Sequence, residues 1–142
     1  MELLYSNPYI EISIDKPNGI IEMAWLPETS YMSDEEFKAA FSKYADLVEE
    51  HHPFALITYS RGSNYAAVPE LQEWVATNIV PRAYQAGVMY TAIVVVEDVF
   101  AQVAAEQLVE EPEVKQHITT HFFPSVAAAR EWLMKKKPQN DK

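Results

Sequence analysis

Apolar residues at every second position run through Tyr9-Ile10-Glu11-Ile12-Ser13-Ile14-Asp15, the period of a strand with one buried face. Lys16-Pro17-Asn18-Gly19 follows as a turn, with proline presetting one φ angle and Asn-Gly tolerating positive ones. Ile20-Ile21-Glu22-Met23-Ala24-Trp25 then reads as the second strand of a hairpin, and Pro27 closes it. Ser33-Asp34-Glu35-Glu36 is a capping box: the Ser33 hydroxyl accepts from the Glu36 amide and the Glu36 carboxylate reaches back. Met32 and Phe37 hold the flanking staple positions. The helix it starts puts Phe37, Ala40, Phe41, Tyr44, Leu47 and Val48 on one face, until His51-His52-Pro53 ends it.

Phe54 to Tyr59 is apolar without clean alternation, as expected of a strand covered on both faces. Pro69 starts a second helix with a stripe of Leu71, Trp74, Val75, Asn78 and Ile79. Pro81 breaks it, because proline lacks the amide and clashes with the preceding turn. A short continuation ends at Gly87, a left-handed cap. Val88 to Val96 is the strongest buried-strand signal, and Glu97-Asp98 open a helix striped by Phe100, Val103, Ala104, Gln107 and Leu108. Pro112 lies beyond that helix, His117 to Phe122 forms a last strand, and Pro124-Ser125 start the last helix.

Strands alternating with helices predict an α/β fold. Its sheet is mixed and mostly parallel, of about five strands with an N-terminal antiparallel hairpin, flanked by about four helices. No repeat or linker divides the chain, so residues 1–142 are expected to form one domain, its core over about 8–136 and its C-terminal tail frayed.

Composition then removes function classes. With no cysteine, thiol catalysis, cysteine-based zinc sites and disulfides are excluded, and the chain suits a reducing cytoplasm. The glycines Gly19, Gly62 and Gly87 cannot assemble a phosphate-cradling loop. The longest aliphatic run, Ala92 to Val96, is far short of the ~18 residues a membrane span needs. Met1 to Pro8 has neither the basic start nor the apolar stretch of a signal peptide, so cytoplasm is the expected location. Net charge is −10 and uneven, with 19 acidic and 5 basic residues through Glu113. Such a body repels nucleic-acid phosphates and anionic lipid, so no nucleic-acid partner is expected. Lys135-Lys136-Lys137 suits the negative end of a helix dipole.

The combination of a strand hairpin, a helix, a strand ending in a polar loop, Pro69-Glu70-Leu71-Gln72-Glu73-Trp74, Gly87 before an aliphatic strand, and Phe122/Phe123 with Ala129 and Trp132-Leu133 resembles a known family. It looks like the SpoIIAA-like (STAS/SEC14-type) domains, relatives of anti-sigma factor antagonists and of CRAL-TRIO lipid-binding folds. The resemblance spans about Tyr9 to Leu133 and rests mostly on packing positions. It implies a non-enzymatic regulatory or protein-interaction module, with a carrier of a lipid or other apolar small molecule as the alternative. A homodimer is compatible with such a fold. In the antagonists a serine of an Asp-Ser motif is phosphorylated; here Ser60 or Ser63 falls in the matching stretch, without the aspartate and beside Arg61.

Ligands of parallel α/β sheets gather beyond the carboxyl ends of the strands. Two such ends supply the candidate binding residues Tyr59, Ser60, Arg61, Ser63, Asn64 and Tyr65 from one loop, and Glu97 and Asp98 from another. Glu97 and Asp98 also suit a simple helix cap. His117 and His121 have metal-ligand spacing for a helix, but on a strand they stand about 13 Å apart at ~3.3 Å per residue. No metal and no cofactor is expected, and no nucleophile elbow or paired-carboxylate set supports an enzyme. Trp25, Trp74 and Trp132 read as core or interface aromatics.

Overall fold

The computed structural model describes residues 1–62, 65, 67–94 and 99–138. Along the chain they form β1 (Glu2–Ser6), β2 (Ile10–Asp15), β3 (Ile20–Trp25), α1 (Asp34–His51), β4 (Ala55–Ser60), α2 (Pro69–Asn78), α3 (Val80–Gln85), β5 (Tyr90–Val94), α4 (Val99–Val109), α5 (Pro112–Lys115), β6 (Thr119–Phe123) and α6 (Val126–Lys136). The six strands make one sheet whose spatial order is the chain order, β1 to β6. β1, β2 and β3 pair antiparallel, whereas β3, β4, β5 and β6 are parallel. The α/β architecture expected from the sequence is therefore present, with one strand more at its edge.

Local chemistry explains the elements. Ile10, Ile12 and Ile14 all turn into the core, as their alternation requires. Ser33 accepts from the Glu36 amide at 3.1 Å, and Glu36 accepts from the Ser33 amide at 2.9 Å, closing the capping box. The Tyr9 hydroxyl donates to the same Glu36 at 2.7 Å, tying the start of β2 to the start of α1. His52 ends α1 in the left-handed conformation, φ 51°, and Pro53 follows. The break at Pro81 divides α2 from α3, and Gly87 takes φ +111° before the next strand.

Alternation along the parallel strands gives the sheet two unequal coats. Ile21 and Met23 of β3 and Leu56 of β4 face the layer built by α1 to α5. Ile20, Ala55, Ile57 and Ala92 face α6 alone, packed on Ala129 and Leu133. That second face has the smaller of the two clusters. At its border Arg130 of α6 forms ion pairs with Asp15 of β2 and Glu22 of β3, both carboxylates being nearly buried. Burial raises the Asp15 carboxyl, but hydrogen bonds from the Asn18 side chain and Arg130 outweigh it and hold the group below its ordinary value.

Several expectations need correction. Glu2–Ser6 is an edge strand outside the expected core, with a bulge between Leu3 and Tyr5 that hides any alternation. The last strand starts at Thr119, so His117 precedes it; its ring stacks on Tyr84 at 4.0 Å. On α4, Ala104 of the expected stripe is buried but Val103 and Gln107 are exposed, while Asn78 of α2 is exposed and Gln72 and Ala76 are buried in its place. Leu71, Val75 and Ile79 are buried as the α2 stripe requires, so only its edge is displaced. Pro112 begins the short α5. Lys137 is tied down, its Nζ donating to the Pro17 carbonyl at 3.2 Å and Asn18 at 2.9 Å. Val95, Val96, Glu97 and Asp98 lie outside the described residues.

Replacing Arg130 with Ala strands two carboxylates at a border where they are only 12% and 11% exposed. Unfolding in urea is expected to show a loss of about 2 kcal/mol, below the value for fully buried pairs because Arg130 keeps 29% exposure. The depressed Asp15 carboxyl contributes stability present above its unfolded pKa and lost as pH falls through its lower folded one. The wild type should therefore lose stability on acidification below about pH 4. The variant should lose less over the same window.

Candidate functional site

The thick side of the sheet encloses a cavity of about 220 Å³. Its floor is the sheet, from Trp25, Leu56, Thr58, Thr91, Ile93 and Thr120. Its walls come from every helix of that layer: Phe37, Phe41, Tyr44 and Ala45 of α1; Gln72, Val75 and Ile79 beside α2; Ala83 of α3; Ala104 and Leu108 of α4; and Val114 of α5. Small residues at Ala45, Ala83 and Ala104 leave the space, and the break at Pro81 turns α3 away from the line of α2. An apolar cavity of about 150 Å³ is enough to bind benzene. This one is about half again as large.

The lining is aromatic at one end, where Trp25 stacks on Phe37 at 6.1 Å and Phe37 on Tyr65 at 5.2 Å. None of its described lining residues is Asp, Glu, Lys, Arg or His. Polar groups are few. The Gln72 side chain donates to the Ala67 carbonyl at 2.9 Å and to Gln107 at 3.1 Å, linking α2 to α4. The Thr120 Oγ1 is buried without a hydrogen-bond partner among the described residues, and the buried Tyr44 hydroxyl lies against Thr58. Burial pushes the Tyr44 phenol far above its ordinary range, and a hydrogen bond with Thr58 only partly offsets it, so the group is protonated at neutral pH.

The residues singled out in the sequence divide around this cavity. Tyr59 and Ser60 end β4 and, as neighbours on a strand, point to opposite faces. Both residues border the cavity. Arg61 swings across the sheet to Glu11 at 2.6 Å and to the Tyr59 hydroxyl at 3.2 Å, its guanidinium 5.7 Å from the Tyr59 ring centre. It is an engaged residue that ties β4 to β2. Tyr65 packs on the cavity's aromatic end, whereas Ser63, Asn64, Glu97 and Asp98 lie outside the described residues. The structure thus places Tyr59, Ser60 and Tyr65 at the cavity and turns Arg61 away to Glu11, with Tyr59 as the link between them.

His117 and His121 serve different layers. His121 stacks on Trp132 of α6 at 4.7 Å, while His117 meets Tyr84 of α3. Among the described residues no group of three or more His, Asp or Glu side chains is arranged to hold a metal ion. Nor is any described helix long and apolar enough to cross a membrane. Sequence reading passed over Tyr44, Thr58, Thr91 and Thr120 because threonine is an ordinary strand residue and tyrosine an ordinary core aromatic. Their signal is position, since the threonines turn toward the helices from the sheet and Tyr44 of α1 meets Thr58.

No family model, no curated protein and no solved structure matches this chain. Fold and cavity stand on the chain's own physics.

The Arg61–Glu11 pair is half exposed, so Arg61→Ala should change unfolding free energy by less than about 1 kcal/mol. A larger loss in chemical denaturation would give that loop a structural weight this geometry denies it.

Proposed function

We propose that this protein is a non-enzymatic binding domain that holds an apolar small molecule between its sheet and its five-helix layer, as a carrier or sensor. The cavity carries this reading: it is apolar, bounded by several elements, partly open, and free of charge in its described lining. Ligand sites of this kind are mostly apolar, with few placed polar groups. The absence of any acid–base pair among those lining residues favours binding over chemistry. The resemblance to SpoIIAA-like and SEC14-type domains admits an apolar ligand as its second expectation, after a protein-interaction module. The alternative emphasis, a protein-interaction module acting through the loop after β4, has weaker support, since Arg61 is committed to Glu11 and Tyr59.

Calorimetry with p-xylene tests the proposal. The wild type is expected to bind one equivalent. Ala45→Leu, which pushes a larger side chain into the cavity from α1, should fold with a cost of about 1–3 kcal/mol and lose that binding. Equal heats from both proteins, or none from the wild type, would contradict the proposal.

A further inference from the structure

The cavity's lining is not uniform, and its two ends differ in kind. On α1 the lining residues run from Phe37 in the first turn to Val48 in the last, about 16 Å of helix. Phe37 belongs to a connected set of rings. Trp25 lies 6.1 Å from Phe37 and 5.4 Å from Phe41, and Phe37 lies 5.0 Å from Phe41 and 5.2 Å from Tyr65. Phe41 continues the set to Tyr44 at 6.4 Å. All five rings belong to residues that border the cavity. Phe41 is tilted by 48°, 56° and 52° to Trp25, Phe37 and Tyr44, so edges meet faces within the set. Aromatic pairs favour such tilted contacts beyond what buried area alone supplies. At the other end Val48, Leu56, Ala83 and Ile118 share one packed aliphatic cluster.

We infer that the ligand is an uncharged aromatic ring bearing a short unbranched alkyl chain, its ring among Trp25, Phe41 and Tyr65 and its chain against Val48, Leu56 and Ala83. The inference rests on the binding role proposed above and names the class of ligand. Neutrality follows from the lining: an ionised group would find no counter-charge among the described residues and would lose its hydration. Size follows from volume. In proportion to the ~150 Å³ that holds benzene, a cavity of 220 Å³ holds roughly nine carbon atoms, a ring with a three-carbon chain. The ring follows from the aromatic end, where a further ring gains edge-to-face contacts that an aliphatic wall does not offer. The chain follows from the far end, whose Val48, Leu56 and Ala83 are nearly buried and meet only an occupant that extends beyond the rings. Phe41 contacts three of the other four rings, which makes it the residue that sets the preference for an aromatic ligand.

Three volatile hydrocarbons separate ring from chain: propylbenzene, propylcyclohexane and toluene. Their binding to the full-length protein is read by headspace gas chromatography over equilibrated solutions. The wild type is expected to bind propylbenzene at least about threefold more tightly than propylcyclohexane. A space that selected by apolar area alone would prefer propylcyclohexane, whose saturated ring carries more hydrocarbon surface. Propylbenzene should also bind at least about tenfold more tightly than toluene, because its two further methylenes are buried. Phe41→Leu should abolish the preference for the aromatic ring. Ala83→Val, which fills the chain end, should cut the advantage of propylbenzene over toluene to less than about threefold while toluene still binds. Circular dichroism checks that both variants are folded, and the wild-type comparisons test the inference whether or not they are.

Propylcyclohexane bound by the wild type as tightly as propylbenzene would overturn the inference, as would a folded Phe41→Leu that keeps the full aromatic preference. Toluene bound as tightly as propylbenzene would overturn it too, by removing the chain. Any of these results, with one of the hydrocarbons still bound, leaves the cavity a binding site and removes only the class of ligand. Failure of all three probes to bind the wild type would overturn the cavity's binding role and this inference together.

Discussion

Strand alternation under two unequal coats is the constraint from which the rest of this structure follows. In β4, Ile57 must face α6 and its neighbours Leu56 and Thr58 must face the helical layer. The α6 side is solved by small residues. Ala55 and Ala92 on the sheet meet Ala129 and Leu133 on the helix, all but fully buried, and little space remains. The opposite side has to be spanned by five helical segments at different angles, broken at Pro81 and again before Pro112. Side chains as small as Ala45, Ala83 and Ala104 cannot fill the gaps between such segments, so a cavity forms there.

Charge is arranged to keep that space neutral. The chain has three arginines, and each is paired outside the cavity with carboxylates on another element. Arg82 of α3 grips Asp46 and Glu49 of α1 at 2.7 and 2.6 Å. Arg130 joins α6 to β2 and β3, and Arg61 joins the end of β4 to β2. The pairs around Arg61 and Arg82 are exposed enough to contribute little stability. Their effect is positional, since each holds two elements of the frame together at the surface. The surplus acid stays on the surface, where water solvates it.

Local signals carried the elements, because each depends on a few neighbouring residues. The Ser33–Glu36 box, the Ile10-Ile12-Ile14 alternation, the αL turn after His51 and the break at Pro81 are all short-range physics. What depends on distant neighbours was harder to read. Whether Val103 or Ala104 faces inward is decided by where α2 and α5 sit, and both residues are apolar. Glu2–Ser6 is a strand only because β2 offers it an edge. The cavity is the extreme case. It is a volume left over by many side chains, and no sequence pattern encodes such a remainder. Polar residues at Thr58, Thr91 and Thr120, facing the helices from the sheet, are its nearest trace in the sequence.

Methyl-resolved NMR during a p-xylene titration tests the two-coat account most directly. The account predicts that methyl groups of Val75, Ile79, Ile93 and Leu108 shift together with one saturation curve, while those of Ile20, Ile57 and Leu133 beneath α6 stay in place. Shifts centred on the α6 face, or spread evenly through both layers, would contradict it.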